Sequence, residues 1–356
     1  MTQFSQILQF AVRNGVSDVH LKVGKTPYFR LDGQLVTRQQ MPVISEDALA
    51  GWLTAVTTDD QLAQFHRDHE LDLAITVEDV GRFRVSAYRE RGRLSLALRH
   101  ISYAVPTTAD LGLPSKLEEI ALAPRGLVLV TGATGSGKST TVAAMVQTIN
   151  RKRACHILTI EDPIEHIFTD KSSVISQREV GKDTGSFSSA LRSAVRQDPD
   201  VIFLGELRDR ETAETALQAA ETGHLVLSTL HTLNAIESIQ RILALFPPHQ
   251  HNMIRNQLSS VLHAVVSQRL VRAVGGGRTA ACEILVQTEL SRELIGDPDR
   301  LYELEEVIEN GHNSYGMQSF DQALLALVRA GKVLPAEALN NASRRARLKL
   351  ALDGIS

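Results

Sequence analysis

Residues 126–150, GLVLVTGATGSGKSTTVAAMVQTIN, constrain the fold more than any other stretch of the chain. An unbroken apolar run leads into a glycine-rich turn, and a helical pattern follows directly. The turn, GATGSGKS at 132–139, meets the pattern G-x-x-x-x-G-K-[ST] at every fixed position. Glycines there let the backbone bend so that successive N–H groups point inward at phosphate oxygens. The cradle comprises Gly132, Ala133, Thr134, Gly135, Ser136, Gly137, Lys138, Ser139 and Thr140. Lys138 would reach the β- and γ-phosphates of a nucleoside triphosphate, and the Ser139 hydroxyl would bind Mg²⁺. The dipole of the helix that follows favours the same anion. A glycine-rich turn matching by accident is the bland alternative. The bare pattern arises by chance in a chain this long with probability on the order of 10⁻², and the flanking strand and helix reduce it further.

Three more apolar runs end in polar chemistry. HILTI runs into Glu161-Asp162, VIFL into Gly205-Glu206, and HLVLSTL into His231. Continuous apolar runs alternating with helical patterns predict a parallel sheet covered on both faces, an α/β domain. In such sheets ligands bind outside the carboxyl ends of the strands, so four strands deliver reactive groups to one edge. A bare carboxylate at the end of a buried strand costs several kcal/mol unless it is paired or hydrated. Beside a phosphate cradle, Glu206 is expected to polarise the attacking water. The structural alternative is an ion pair with Arg208 or Arg210.

Glu161, Asp162 and Glu165 form a second acidic group, with Pro163 stopping the strand. Three carboxylates so close repel one another unless they share a cation, and magnesium is the candidate. A solvated acidic loop is the alternative. His231 is placed to hydrogen-bond phosphate, although a lone histidine is more often structural. His249 and His251 after FPP have metal-ligand character, but a helix cap explains them better. RRARLK near the carboxyl terminus reads as one solvated basic face.

Composition excludes several classes. The formal net charge of −3 provides no field that would draw in nucleic acid. Two cysteines, Cys155 and Cys282, without CxxC spacing exclude a disulfide framework and a four-cysteine zinc site. No apolar run reaches about 18 residues, and the amino terminus lacks a signal-peptide pattern. A cytoplasmic protein that meets membrane only through partners is the expectation. At 356 residues two domains are natural. Residues 1–102 begin with an amphipathic helix and continue in short alternating segments. RFRVSAYRERGRLSLALRHI reads as a hairpin turning at Arg91-Gly92. Residues 103–115, with two prolines, read as a linker, and 116–356 as the α/β domain with a helical carboxy-terminal segment.

The stretches GATGSGKSTT, ILTIEDPIEH, ALRSAVRQDPDVIFLGELRD and AAETGHLVLSTLHT occur in this order in secretion-type ATPases. The chain resembles the PilT-type branch, which drives type IV pilus retraction and twitching motility. SDVHLKVGKTPYFRLDGQL resembles the start of that family's PAS-like amino-terminal α+β domain, and GMQSFDQAL its carboxy-terminal segment. The resemblance implies a RecA-like ATPase domain preceded by that smaller domain, with ATP and Mg²⁺ as ligands. It makes Lys138 and Ser139 phosphate and magnesium groups, Glu206 the water-activating Walker B glutamate, Glu165 an Asp-box residue and His231 the His-box residue. It also implies a homo-hexamer in which Arg84 and Arg99 reach a neighbouring subunit's nucleotide, and it matches Arg241 to a family arginine of less defined role. Arginines delivered in trans can neutralise charge on a transferring phosphoryl group; solvated strand arginines are the alternative. The implied partners are an inner-membrane pilus platform protein and a paralogous pilus ATPase, with the chain peripheral at the inner-membrane base of the pilus. LSRELIGD corresponds to the AIRNLIRE-like helix of retraction members, keeping Arg292, Leu294 and Ile295 but closing with Gly296-Asp297. An accessory PilU-type regulatory ATPase and a related protein-secretion ATPase are the alternative readings.

Overall fold

The computed structural model describes residues 3–31, 34–38, 40–101 and 105–354. Residues 102, 103 and 104, where the sequence ends the first domain and begins the linker, lie outside the described residues. The chain divides into two compact units: 1–104 with 163–167, and 105–162 with 168–356.

The first unit is an antiparallel sheet with helices on one face. Its strands are β1 (Asp18–Lys22), β2 (Tyr28–Leu31), β3 (Gln34–Thr37), β4 (Glu70–Val77), β5 (Gly81–Glu90) and β6 (Arg93–Ile101). They lie in the order β3-β2-β1-β6-β5-β4. The hairpin of β5 and β6 turns at Arg91 and Gly92, both at positive φ, as the sequence predicts. Helices α1 (Gln3–Arg13), α2 (Glu46–Val56) and α3 (Asp59–Asp68) contribute Phe4, Ile7, Leu8, Leu49, Leu53 and Phe65 to its core. Burial alternates along β4, so only one face of the sheet packs. On the polar face the register sets Arg30 opposite Asp18, Asp18 opposite Arg99, and Arg99 opposite Arg84.

The second unit is a seven-stranded sheet. Its strands are β7 (Gly126–Thr131), β8 (His156–Glu161), β9 (Val174–Glu179), β10 (Val201–Leu204), β11 (Leu225–Leu230), β12 (Leu262–Arg272) and β13 (Arg278–Val286). Their order is β13-β12-β7-β11-β10-β8-β9. The four apolar runs read from sequence are β7, β11, β10 and β8, mutually adjacent and parallel. All of β7, β10 and β11 is buried. Leu127 and Leu129 face one core and Val128 and Val130 the other, which is why no polar alternation interrupts the run. One core is closed by α4 (Lys116–Ala121) and α5 (Lys138–Lys152). The other is closed by α6 (Phe187–Ala194), α7 (Arg210–Glu221), α8 (Ala235–Ala244), α9 (His251–Val261), α10 (Glu289–Gly296) and α11 (Leu304–Asn310). A short α12 (His312–Tyr315) leads to α13 (Phe320–Arg329), α14 (Pro335–Asn341) and α15 (Arg345–Leu352), which pack around Val271 and Ala281. The sheet departs from a purely parallel one at its edge, where β13 returns antiparallel to β12. Among the described residues no helix is long and apolar enough to cross a membrane.

Candidate nucleotide site

The phosphate loop joins β7 to α5. Gly135 and Gly137 sit at φ 79° and 89°, backbone that only glycine adopts without strain, and Gly137 is the N-cap of α5. Lys138, the first helical residue, is buried and donates from Nζ to the carbonyls of Gly132 at 2.9 Å and Ala133 at 3.1 Å. The ammonium therefore lies folded over the loop that it would share with a phosphate. The Ser136 hydroxyl is buried and has no hydrogen-bond partner among the described residues. A buried donor of that kind, in a loop of turned-in amides, fits an anionic ligand.

Glu206 follows the end of β10, and its backbone surroundings are tied on both sides. Gly205 donates to the Ile160 carbonyl at 2.8 Å and accepts from Thr229 Oγ1 at 2.6 Å, while Leu207 donates to the Thr229 carbonyl. Neighbouring strands thus fix where the carboxylate emerges. One oxygen lies 3.3 Å from His231 Nε2 and the other accepts from Arg208 Nε at 2.9 Å. The ion pair offered as the structural alternative is present, and the histidine contact exists beside it. The other ring nitrogen, Nδ1, lies 3.4 Å from Thr134 Oγ1 of the loop. A single histidine at the end of β11 thus stands between the loop and the glutamate.

The acidic group begins at the last residue of β8. Glu161 is buried, and its Oε1 accepts from Thr159 at 2.7 Å and Gln177 at 3.2 Å. Asp162 and Glu165 are exposed, and Glu165 lies in the 163–167 segment that groups with the first unit. Opposite Glu161 in the sheet stands Glu179 of β9, also buried, which sequence reading did not single out. Among the described residues no three His, Cys, Asp or Glu side chains gather in a way that could hold a metal ion. Any magnesium here would depend on phosphate oxygens and water beside protein groups, the usual habit of that ion. Ser139 is half-buried at the start of α5.

Arg84 and Arg99 belong to the first unit, side by side on β5 and β6, and Arg99 Nε donates to Asp18 at 2.8 Å. Arg241 lies in the last turn of α8 and is exposed. His251 opens α9 and its Nε2 is 2.9 Å from the Phe246 carbonyl, a contact back to the preceding turn. Arg344 and Arg347 of the basic terminal stretch pair with Glu309, and Arg344 also with Glu305.

Two further residues reach the loop's base from β12, the strand next to β7. Gln268 of β12 is buried between loop and helix, hydrogen-bonded to both. Ser267 beside it accepts from Thr131 at 3.0 Å and donates to Glu283 of β13. Glu283 also accepts the backbone N–H of Ala235, the first residue of α8, at 2.8 Å. Burial pushes its carboxyl up to about 7, against the opposing pull of the Ala235 amide and Arg269. Thr131, Ser267 and Glu283 therefore link the loop to the helix that follows the His231 turn.

The type II/IV secretion system protein family model matches residues 2–319. The chain is 43% identical over 329 residues to the type IV pilus retraction ATPase PilT of Pseudomonas aeruginosa, covering 92% of this chain and 95% of that protein. It is 39% identical over 351 residues to the type IV pilus ATPase PilU of the same organism, covering 98% and 91%. The crystal structure of the pilus retraction motor PilT with bound ADP superposes with a TM-score of 0.90 at 40% identity, covering 98% of this chain and 99% of that one. The Legionella pneumophila ATPase DotB follows with a TM-score of 0.80 at 26% identity, covering 99% and 94%. A family match over most of the chain, across a site whose loop, histidine and glutamate converge on one sheet edge, places the chain in the type II/IV secretion system protein family.

Proposed function

We propose that the chain is the ATP-hydrolysing motor subunit of a type IV pilus retraction machine, powering twitching motility. The observation that carries this reading is the contact series Thr134–His231–Glu206, which sets a carboxylate and a histidine beside the Lys138 loop. The likeness to PilT over nearly the whole chain supports the pilus assignment.

The residues divide the work. Loop amides and Lys138 bind the β- and γ-phosphates, Lys138 exchanging its contacts with the Gly132 and Ala133 carbonyls for phosphate oxygens. Glu206 orients the attacking water and takes up its proton. His231, in contact with the loop on one side and with Glu206 on the other, holds the carboxylate in register with the loop. Magnesium, when bound, neutralises charge on the phosphates, with the Ser139 hydroxyl and Glu161 as the groups that would hold it. In a homo-hexamer, Arg84 and Arg99 of one subunit would stabilise the transferring phosphoryl group bound by its neighbour. We place the protein in the cytoplasm at the inner-membrane base of the pilus, acting on a platform protein.

The test is steady-state hydrolysis by purified protein. Glu206→Gln is expected to lower turnover about 10²-fold or more while keeping ATP binding, since it removes a base without changing shape. Lys138→Ala is expected to lose nucleotide binding. Wild type that turns over no faster than Glu206→Gln while binding ATP would remove the motor reading. A second reading, an accessory PilU-type ATPase, is favoured by the match to PilU over 98% of the chain. Deleting the gene separates the two: loss of twitching supports the motor, and twitching retained without force under load supports the accessory role.

A further inference from the structure

The phosphate loop is tied to a residue outside itself, Gln268 of β12. Gln268 lies one residue beyond Ser267, which pairs with Thr131, so β12 runs on alongside the loop after β7 has ended. The Gln268 amide makes two hydrogen bonds with opposite polarity. Nε2 donates to the Ser136 carbonyl at 2.7 Å, and Oε1 accepts from Thr141 Oγ1, in the first turns of α5, at 2.7 Å. A flipped amide would set oxygen against the Ser136 oxygen, so the orientation is fixed. Contact is close enough to restrict residue type. A Cβ at Gly137 would lie 2.8 Å from Gln268 Nε2, and one at Gly132 would lie 2.4 Å from the Gln268 carbonyl oxygen.

In a trans peptide the C=O and N–H point in opposite directions. Holding the Ser136 carbonyl against β12 therefore holds the Gly137 N–H away from β12. Both residues are at the heart of the phosphate loop. We infer that Gln268 is a positioning residue for the anion cradle, fixing the Ser136–Gly137 peptide so that its N–H is presented to phosphate before the ligand arrives. The Ser136 hydroxyl, buried and unpartnered in the same segment, is consistent with a cradle organised for an incoming anion. The inference rests on reading the loop as a nucleotide site and adds to it the group that pre-organises it. Pre-organised donors bind without the entropy loss of ordering a glycine-rich loop, which is where an affinity effect arises.

The experiment measures ADP binding, with magnesium, to the full chain by calorimetry, alongside the melting temperature without nucleotide. Gln268→Met keeps length and neutrality and removes both hydrogen bonds. It is expected to weaken ADP binding about tenfold or more. Gln268→Glu provides the readout that a purely structural role would not move. At about pH 8 its carboxylate repels the Ser136 carbonyl; at about pH 5.5 a protonated carboxyl regains an O–H donor to it. Relative to wild type measured at each pH, ADP affinity of Gln268→Glu is expected to recover as pH falls. The neutral Met variant separates loss of the donor from repulsion of the nucleotide. ADP affinity of Gln268→Met within twofold of wild type, or a Gln268→Glu to wild-type ratio that does not change with pH, overturns the inference. If Gln268→Met does not fold, the two pH arms of Gln268→Glu decide alone. Wild type that binds no ADP would remove the nucleotide reading itself, a different result from wild type and Gln268→Met binding equally well.

Discussion

Glu206 sits between two basic side chains, both exposed, and what else each one touches predicts which contact matters. Arg208 is 63% exposed, and an ion pair so open to water contributes about 1 kcal/mol at most. Arg208→Ala is therefore expected to leave turnover within a few-fold of wild type and the melting temperature nearly unchanged. His231 also touches Thr134 of the phosphate loop, so removing it uncouples loop from glutamate. His231→Ala is expected to lower turnover by about 10- to 10³-fold with ADP affinity close to wild type. Steady-state kinetics and calorimetry on both variants check this; equal loss of turnover in the two would assign the chemistry to the ion pair instead. The same residues show what can be read from a sequence. Lys138 was legible from the spacing of the glycine-rich loop, and Glu206 and His231 because each follows an apolar run, where a polar group at the tip of a buried strand demands a reason. Gln268 was not. A glutamine inside AVVSQRLVR violates nothing locally, and its partners Ser136 and Thr141 lie more than 120 residues away. Glu179 was not legible either, because VISQRE shows no alternation that would set a buried carboxylate apart from its half-buried neighbours.

At the scale of elements, the parallel core was readable and its edge was not. Strands β7, β8, β10 and β11 are continuous apolar runs because helices cover both faces. Strands β12 and β13 mix apolar and polar residues, and nothing local specifies that β12 joins β7 in parallel while β13 returns antiparallel. That pairing carries Ser267 and Glu283 to the loop and to the start of α8. The consequence is a pH-dependent stability. The Glu283 carboxyl is raised from its ordinary 4.5 to about 7 in the folded chain. Between those values the folded state holds a proton that the unfolded state has released. Stability from this group is therefore full below the unfolded carboxyl's range and is lost as pH rises through about 7. Glu283→Gln keeps an acceptor for the Ala235 N–H and removes the charge. Part of Glu283 reaches solvent, which reduces the gain to about 1 kcal/mol, or a few degrees of melting temperature. The variant is expected to melt higher than wild type at about pH 8, with the difference closing towards pH 5. Thermal melts across that range check it, and a constant difference would show that the carboxyl does not titrate in this window.

At the scale of the whole molecule, the polar face of the first unit bears on the proposed homo-hexamer. Arg30, Asp18, Arg99 and Arg84 form one cross-strand row, three guanidinium groups with a single carboxylate among them. Like charges directly opposite, as Arg84 and Arg99 are, disfavour the sheet by themselves. A surplus of arginine on one sheet face, in a chain of net charge −3, is an arrangement that an external anion would relieve. If that anion is a neighbouring subunit's nucleotide, each complete site draws Glu206 from one chain and Arg84 from another. Two inactive variants should then rescue each other. Arg84→Ala contributes an intact Glu206, Glu206→Gln contributes an intact Arg84, and random assembly of equal amounts restores both at about a quarter of the interfaces. The mixture is expected to hydrolyse ATP well above the sum of its separate components, after conditions that allow subunits to exchange. Were Arg84 to act on the nucleotide of its own chain, no assembled site would hold both groups, and mixing would recover nothing. Because both variants leave the Lys138 loop unchanged, nucleotide binding by each one alone distinguishes a missing catalytic group from an empty site.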